Sequence, residues 1–173
     1  VRSTYNRYSS VRSMSGMTGA QAAQRILAHA GIRDVQIQHV SGNLTDHYDP
    51  REKVLRLSDS VYGSDSVAAV GVAAHECGHA IQHQRGYVPL RVRGAFVPVA
   101  NFGSSIAWPL IIIGLMMRGQ IIIEIGIICF SFAVIFQLIT LPVEFNASGR
   151  AMRILRETGI LNSQELPMTG RVL

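Results

Sequence analysis

The sequence has 173 residues, enough for one domain with its own core and too few for two large ones. Charged residues make up 16 % and hydrophobic residues 48 %, drier than an ordinary soluble domain with about 25 % charged residues, so membrane segments have to be sought first. The formal charge of +5 comes from arginine, Lys53 being the single lysine, and these arginines flank apolar segments, which points to a lipid surface and away from nucleic acid. Cys77 and Cys129 form no CxxC pair and read as free thiols. Val1 is not an initiator methionine, and a fragment or processed form is expected.

Residues 1–17 are polar, Ser-rich and basic through Arg2, Arg7 and Arg12, with Tyr5 and Tyr8 between them. This composition suits either a segment at a membrane surface or a solvated arm. Thr18 can cap a short helix running to about Ala30, with Ala22, Ala23, Ile26 and Leu27 at helical spacing and Gly31 as its stop. The period then falls to two. Val35, Ile37 and His39 alternate with Gln36, Gln38 and Val40, and Val54–Leu57 forms another short strand. Asp49-Pro50 supplies a turn, so residues 34–58 are predicted to form a small antiparallel sheet, with 44–48 and 54–58 as a hairpin.

Ser64, Asp65 or Ser66 can cap the next helix, which continues without proline to Gly86. From Gly94 to Met117 no residue is charged, and Ile125–Val143 repeats this after Arg118 and Glu124. At about 1.5 Å per residue these runs span roughly 36 and 28 Å, against a hydrocarbon core of about 30 Å. They read as a transmembrane hairpin. Buried core helices are the alternative, and a domain of this size could hardly cover both. Pro98, Asn101, Gly103, Ser104, Ser105 and Pro109 predict a kinked or interfacial start to the first run. Arg85, Arg91 and Arg93 precede the hairpin and Arg150, Arg153 and Arg156 follow it, whereas the connecting turn offers only Arg118; the positive-inside rule then puts both hairpin ends at the cytoplasm.

Chemistry concentrates in His75-Glu76-Cys77-Gly78-His79, inside the capped helix. Residues four apart share a helix face, so His75 and His79 can present two imidazole nitrogens to one Zn2+ at about 2.0–2.1 Å. Glu76 can take a proton from attacking water and return it to a leaving amine, the division of labour of a zinc peptidase. Catalytic zinc needs a third protein ligand. His83 lies eight residues beyond His75, about 12 Å along the helix, too far to join. Of the downstream acids, Glu124 falls at the far end of the hairpin, Glu157 sits on an Arg-rich turn, and Glu144 is the one returned to the side of the metal helix. Pro142 predicts that Glu144 opens a new helical stretch carrying Ala147, Ala151, Ile154 and Leu155; Gly149 weakens that helix by about 1 kcal/mol relative to alanine. Cys77 points roughly 200° around the helix from His75 and cannot close a four-ligand structural site. His47, Tyr48 and Tyr87 are candidates for oxyanion contacts, and His83 for a substrate contact. An edge strand of the hairpin could hold an extended peptide.

The run NLTDHYDPREKVLRLSDSVYGSDSVAAVGVAAHECGHAIQHQRGY, which begins at Asn43, together with FVPVANFGSSIAWPL and LPVEFNASGRAM, resembles the YugP-like membrane zinc metallopeptidases of bacteria, and the likeness covers nearly the whole chain. The resemblance implies a zincin site of HExxH plus Glu: His75 and His79 as ligands and Glu76 as acid/base. A likeness of Glu144–Ser148 to the third-ligand helix of the heat-shock and prenyl-protein membrane metalloproteases implies Glu144 as third ligand. The family resemblance also implies a transmembrane helix before Val1 and further hydrophobic sequence after Leu173, hence truncation at both ends.

The expected fold class is an α+β membrane protein, mainly α, with a zincin-like metal helix, a small antiparallel sheet and a two-helix transmembrane hairpin. One membrane-embedded domain over 1–173 is expected: basic arm 1–17; helix, sheet and metal helix 18–93; hairpin 94–143; third-ligand helix and tail 144–173. The expected activity is peptide-bond hydrolysis at the cytoplasmic face of a bacterial membrane, on peptides or proteins, membrane proteins included. The lipid bilayer is the second expected partner, and nucleic acid is not one. A non-catalytic membrane adaptor with a structural or vestigial metal site is the competing reading.

Overall fold

The computed structural model describes residues 2–173. By internal contacts the chain divides into two compact units, one joining the chain up to Gly86 with Phe145–Leu173, the other Tyr87–Glu144.

In the first unit, α1 (Arg2–Tyr8), α2 (Gly19–His29), the strands β1 (Gln36–Val40), β2 (His47–Asp49) and β3 (Val54–Ser58), and α3 (Asp59–Tyr62) precede α4 (Val67–Gln84). α2 begins at Thr18, whose side chain accepts from Gln21 N while Gln21 bonds back to the Thr18 backbone. This reciprocal cap, worth about 1 kcal/mol, satisfies two amides that a helix start otherwise leaves open. Ala22, Ala23, Ile26 and Leu27 are buried, and α2 lies against α4. α4 itself is capped by Ser66 accepting from Ala69 N. Val67, Ala69, Val70, Ala73, Ala74 and Cys77 are fully buried, making α4 the central helix of this core.

The sheet is mixed, in the order β1-β3-β2, which corrects the expected all-antiparallel arrangement. β2 pairs antiparallel with β3, as the Asp49-Pro50 turn predicts, but the strand is confined to His47–Asp49. β1 pairs parallel with β3, matching Ile37 with Leu55 and His39 with Leu57. β3 has the most buried side chains of the three, so it takes the middle, and the two less buried strands become edges.

Residues 2–17 are not a solvated arm. Tyr5 and Tyr8, three apart on one face of α1, are buried in the core, and the Tyr5 hydroxyl donates to Ser60 O at 2.7 Å. Beyond α1, Arg12 bridges to Ser66, and Met14 N donates to the carboxylate of Glu165 at 2.6 Å. Glu165 is 5 % exposed, and its carboxylate also accepts from Asn162 N, tying the N-terminal segment to the approach of α7 (Leu166–Val172).

The second unit contains α5 (Val88–Met116) and the first part of α6 (Gln120–Thr158). Pro98 and Pro109 lie within α5 without ending it. A Cβ on Gly103 would stand 2.9 Å from Cys129 O, so the missing side chain lets α5 and α6 approach closely. Both helices are long and apolar enough to cross a membrane, and only 17 % and 6 % of their most apolar stretches is buried. The helices of a soluble core would be covered by their own chain, and these stretches are not.

α6 also corrects an expectation. It runs unbroken through Pro142 and Gly149, so Glu144 lies inside a helix and does not begin one. Proline removes one amide donor and glycine costs about 1 kcal/mol, and neither outweighs 39 residues of continuous helix.

The C-terminal part of α6 meets α4 at Gly78. A Cβ there would stand 2.6 Å from Ala147 O, a backbone atom that cannot swing aside. Gly78→Ala is therefore expected to lower stability by roughly 1–3 kcal/mol, the usual cost of overpacking, and thermal unfolding in detergent checks it.

Candidate metal centre

Helical periodicity puts His75 and His79 on the same face of α4, with their rings 4.8 Å apart in an edge-on arrangement. That face meets the segment of α6 that begins at Phe145. His75 Nδ1 lies 3.1 Å from Ser148 Oγ, and His79 Nδ1 lies 3.0 Å from Gln82 Oε1. Gln82 Nε2 in turn donates to Asn146 Oδ1 at 3.0 Å. Each imidazole is thus oriented through Nδ1, the arrangement that leaves Nε2 as the ligating atom in metal-bound histidines.

Glu144 immediately precedes Phe145 in the same unbroken helix and lies one turn before Ser148. Two imidazoles and a carboxylate are a donor set suited to Zn2+, which takes each such ligand atom at about 2.0–2.2 Å. His79 is buried, while His75 and Glu144 are half-buried. Glu144 also pairs with Arg93 at 3.6 Å. Glu76, next to His75 on α4, is half-buried.

Cys77 is kept apart. Its thiol is fully buried and points to Ala23 O at 3.7 Å, and burial pushes its pKa up, disfavouring the thiolate a metal would need.

The remaining sequence candidates separate by sheet geometry. Tyr48 is paired with Leu55 and so shares the face that Leu55 buries, whereas His47 points to the opposite face. Accordingly Tyr48 Oη lies 2.9 Å from His83 Nδ1, one turn past His79 on α4, and both line a cavity of about 310 Å³ with Asp34, Lys53 and Gln84. His47 is exposed and contacts Thr45 O and Arg56. Tyr87 is the N-cap residue of α5, in the second unit. Ser148, Gln82 and Asn146 were not anticipated from sequence. The available signal was spacing: Ser148 follows Glu144 by four residues, and Gln82 follows His79 by three.

Two histidines four residues apart on one helix face, with a glutamate after the first, match the HExxH spacing that zinc peptidases use. The chain belongs to the family described as "Putative neutral zinc metallopeptidase", which matches residues 1–173. It is 49 % identical over 174 residues to the "Putative membrane protease YugP" of Bacillus subtilis (strain 168), covering 100 % of this chain and 77 % of that protein. No solved structure matches.

Tyr48 gives a pH test of the cavity geometry. Burial, followed by the carboxylates of Asp34 and Asp49, pushes its phenol from the usual 10.0 up to about 12. The unfolded chain therefore releases this proton first. The stability it contributes is complete below the unfolded value and is lost as pH rises toward the folded one. Urea unfolding between about pH 9 and 12 should show the wild type losing stability more steeply than Tyr48→Phe.

Proposed function

We propose that this chain is a membrane-anchored, zinc-dependent endopeptidase that hydrolyses peptide bonds near the cytoplasmic face of a bacterial membrane. The observation that carries the reading is the pair His75 and His79, side by side on α4 and each held through Nδ1, with Glu76 next to His75 in the chain. His75, His79 and Glu144 would hold the ion. Bound zinc supplies a Lewis acid that activates water and polarises the scissile carbonyl. Glu76 accepts the proton of the attacking water on its carboxylate and delivers it to the leaving amine nitrogen, completing the hydrolysis.

Three protein ligands leave a coordination position for substrate, as catalysis requires, whereas structural zinc is closed by a fourth. The nearest thiol, Cys77, is turned into the core, which favours the enzyme over a structural adaptor. Partners in this reading are a peptide or protein substrate, membrane proteins included, and the bilayer.

The bilayer assignment rests on α5 and α6. Their exposed residues include Trp108, Ile112, Ile113, Leu115, Ile125, Ile127, Ile128 and Leu138, a surface that water would not tolerate and lipid would. The arginine asymmetry, with Arg118 alone in the turn, supports cytoplasmic ends for both helices.

Zinc content and casein hydrolysis of the purified protein in detergent test the chemistry. Glu76→Gln should keep zinc and lose about 10²–10⁴-fold in kcat, the usual contribution of a general acid/base. Glu144→Ala should lose both metal and turnover. Full activity in Glu76→Gln would refute the peptidase mechanism, and unchanged zinc affinity in Glu144→Ala would remove the third ligand. For the anchoring, the wild type should stay in the membrane pellet after alkaline carbonate extraction; release into the supernatant would exclude a spanning hairpin.

A further inference from the structure

Gln82 is fully buried on α4, where an amide must have partners for both its donor and its acceptor. Its Oε1 lies 3.0 Å from His79 Nδ1, and its Nε2 lies 3.0 Å from Asn146 Oδ1. Asn146 Oδ1 also receives Arg150 Nε at 2.7 Å, one turn along α6. All four side chains belong to the first unit.

The direction of each bond follows from one end. Arginine has donors and no acceptor, so Asn146 must turn its oxygen toward Arg150. That same oxygen faces Gln82, so Gln82 must present its NH2 group there. The carbonyl oxygen of Gln82 is then the atom facing His79, and it can only accept. His79 must therefore carry its proton on Nδ1, which places the lone pair on Nε2.

We propose that Arg150, Asn146 and Gln82 form a relay of fixed hydrogen-bond polarity that sets the tautomer of His79 before any metal arrives. They are positioning residues for the metal centre, and their use rests on the zinc reading above. At His75, Nδ1 faces the Ser148 hydroxyl, a group that can itself donate or accept. A histidine without such a partner populates both neutral tautomers and must shift its proton before ligating through Nε2, so removing the relay weakens metal binding.

Long-range 1H–15N correlation of the 15N-histidine-labelled protein in detergent, held at about pH 8 where imidazole is neutral, reads the tautomer directly. The His79 signals are assigned by their loss in His79→Gln. In the metal-free wild type, His79 should appear as the Nδ1–H form. Gln82→Met, which keeps the length and removes both polar atoms, should populate the Nε2–H form and weaken Zn2+ binding by about 10- to 100-fold in chelator competition. Asn146→Leu should do the same through loss of the middle member. Asn146→Asp should retain the wild-type tautomer and affinity, because a carboxylate accepts from both Arg150 and Gln82. An Nε2–H His79 in the metal-free wild type would overturn the relay, and so would an unchanged tautomer and zinc affinity in Gln82→Met; the first result needs no variant to fold. A wild type that shows Nδ1–H at His79 yet binds no zinc would support the relay while refuting the zinc reading.

Discussion

The contact between Gly78 of α4 and the backbone of Ala147 in α6 governs the site. With the added Cβ position only 2.6 Å from Ala147 O, the two helices touch backbone to side-chain-free backbone. Side chains on either side of this point are brought into register: His75 reaches Ser148, and Gln82 reaches Asn146. A separation larger by the width of a methyl group would break both polar contacts, since hydrogen bonds weaken steeply beyond about 3.2 Å. Gly78 therefore sets the interhelical distance on which both polar contacts depend.

The polar groups lining this interface order the site in a consistent direction. Metal-binding histidines need their second nitrogen held by a partner that fixes ring rotation and proton position. Here a core amide serves His79 and a hydroxyl serves His75. Gln82 at full burial would be a liability without partners, and the bonds to His79 and Asn146 satisfy both ends of its amide. The conformational cost of ordering these side chains is met on folding, which leaves less to be lost when an ion binds.

Continuity of α6 links the apolar part of the chain to this chemistry. A break at Pro142 would leave Glu144 on a frayed helix start. The unbroken helix fixes Glu144 at one turn from Ser148, whose hydroxyl is already committed to His75. The exposed apolar surfaces of α5 and α6 make that helix unsuited to water as a surrounding medium.

Local signals in the sequence were sufficient for the elements whose causes are local. The Thr18 cap of α2, a cap for α4 among residues 64–66, the period of α2 and the spacing that puts His75 and His79 on one face each depend on residues within a turn or two of one another, and each matches the structure, which picks Ser66 and adds Gln21 to the Thr18 cap. The two long apolar runs were equally legible, because hydrophobicity over about 20 residues needs no partner to be read. What failed depended on distant partners. The parallel pairing of β1 with β3 follows from which strand is buried most, the folding-in of Tyr5 and Tyr8 from a core that other segments supply, and the persistence of α6 through Pro142 from helix on both sides. The site divides in the same way. Sequence by itself put His75 and His79 on one helix face with Glu76 beside them, since helix geometry alone does so, and pointed to Glu144 as the candidate third ligand. Only the tertiary structure chose Tyr48 over His47 for the face toward α4 and brought Ser148, Gln82, Asn146 and Arg150 together behind the two histidines. The physical reason is that interhelical register is fixed by close packing between segments more than 60 residues apart, and no local pattern encodes it.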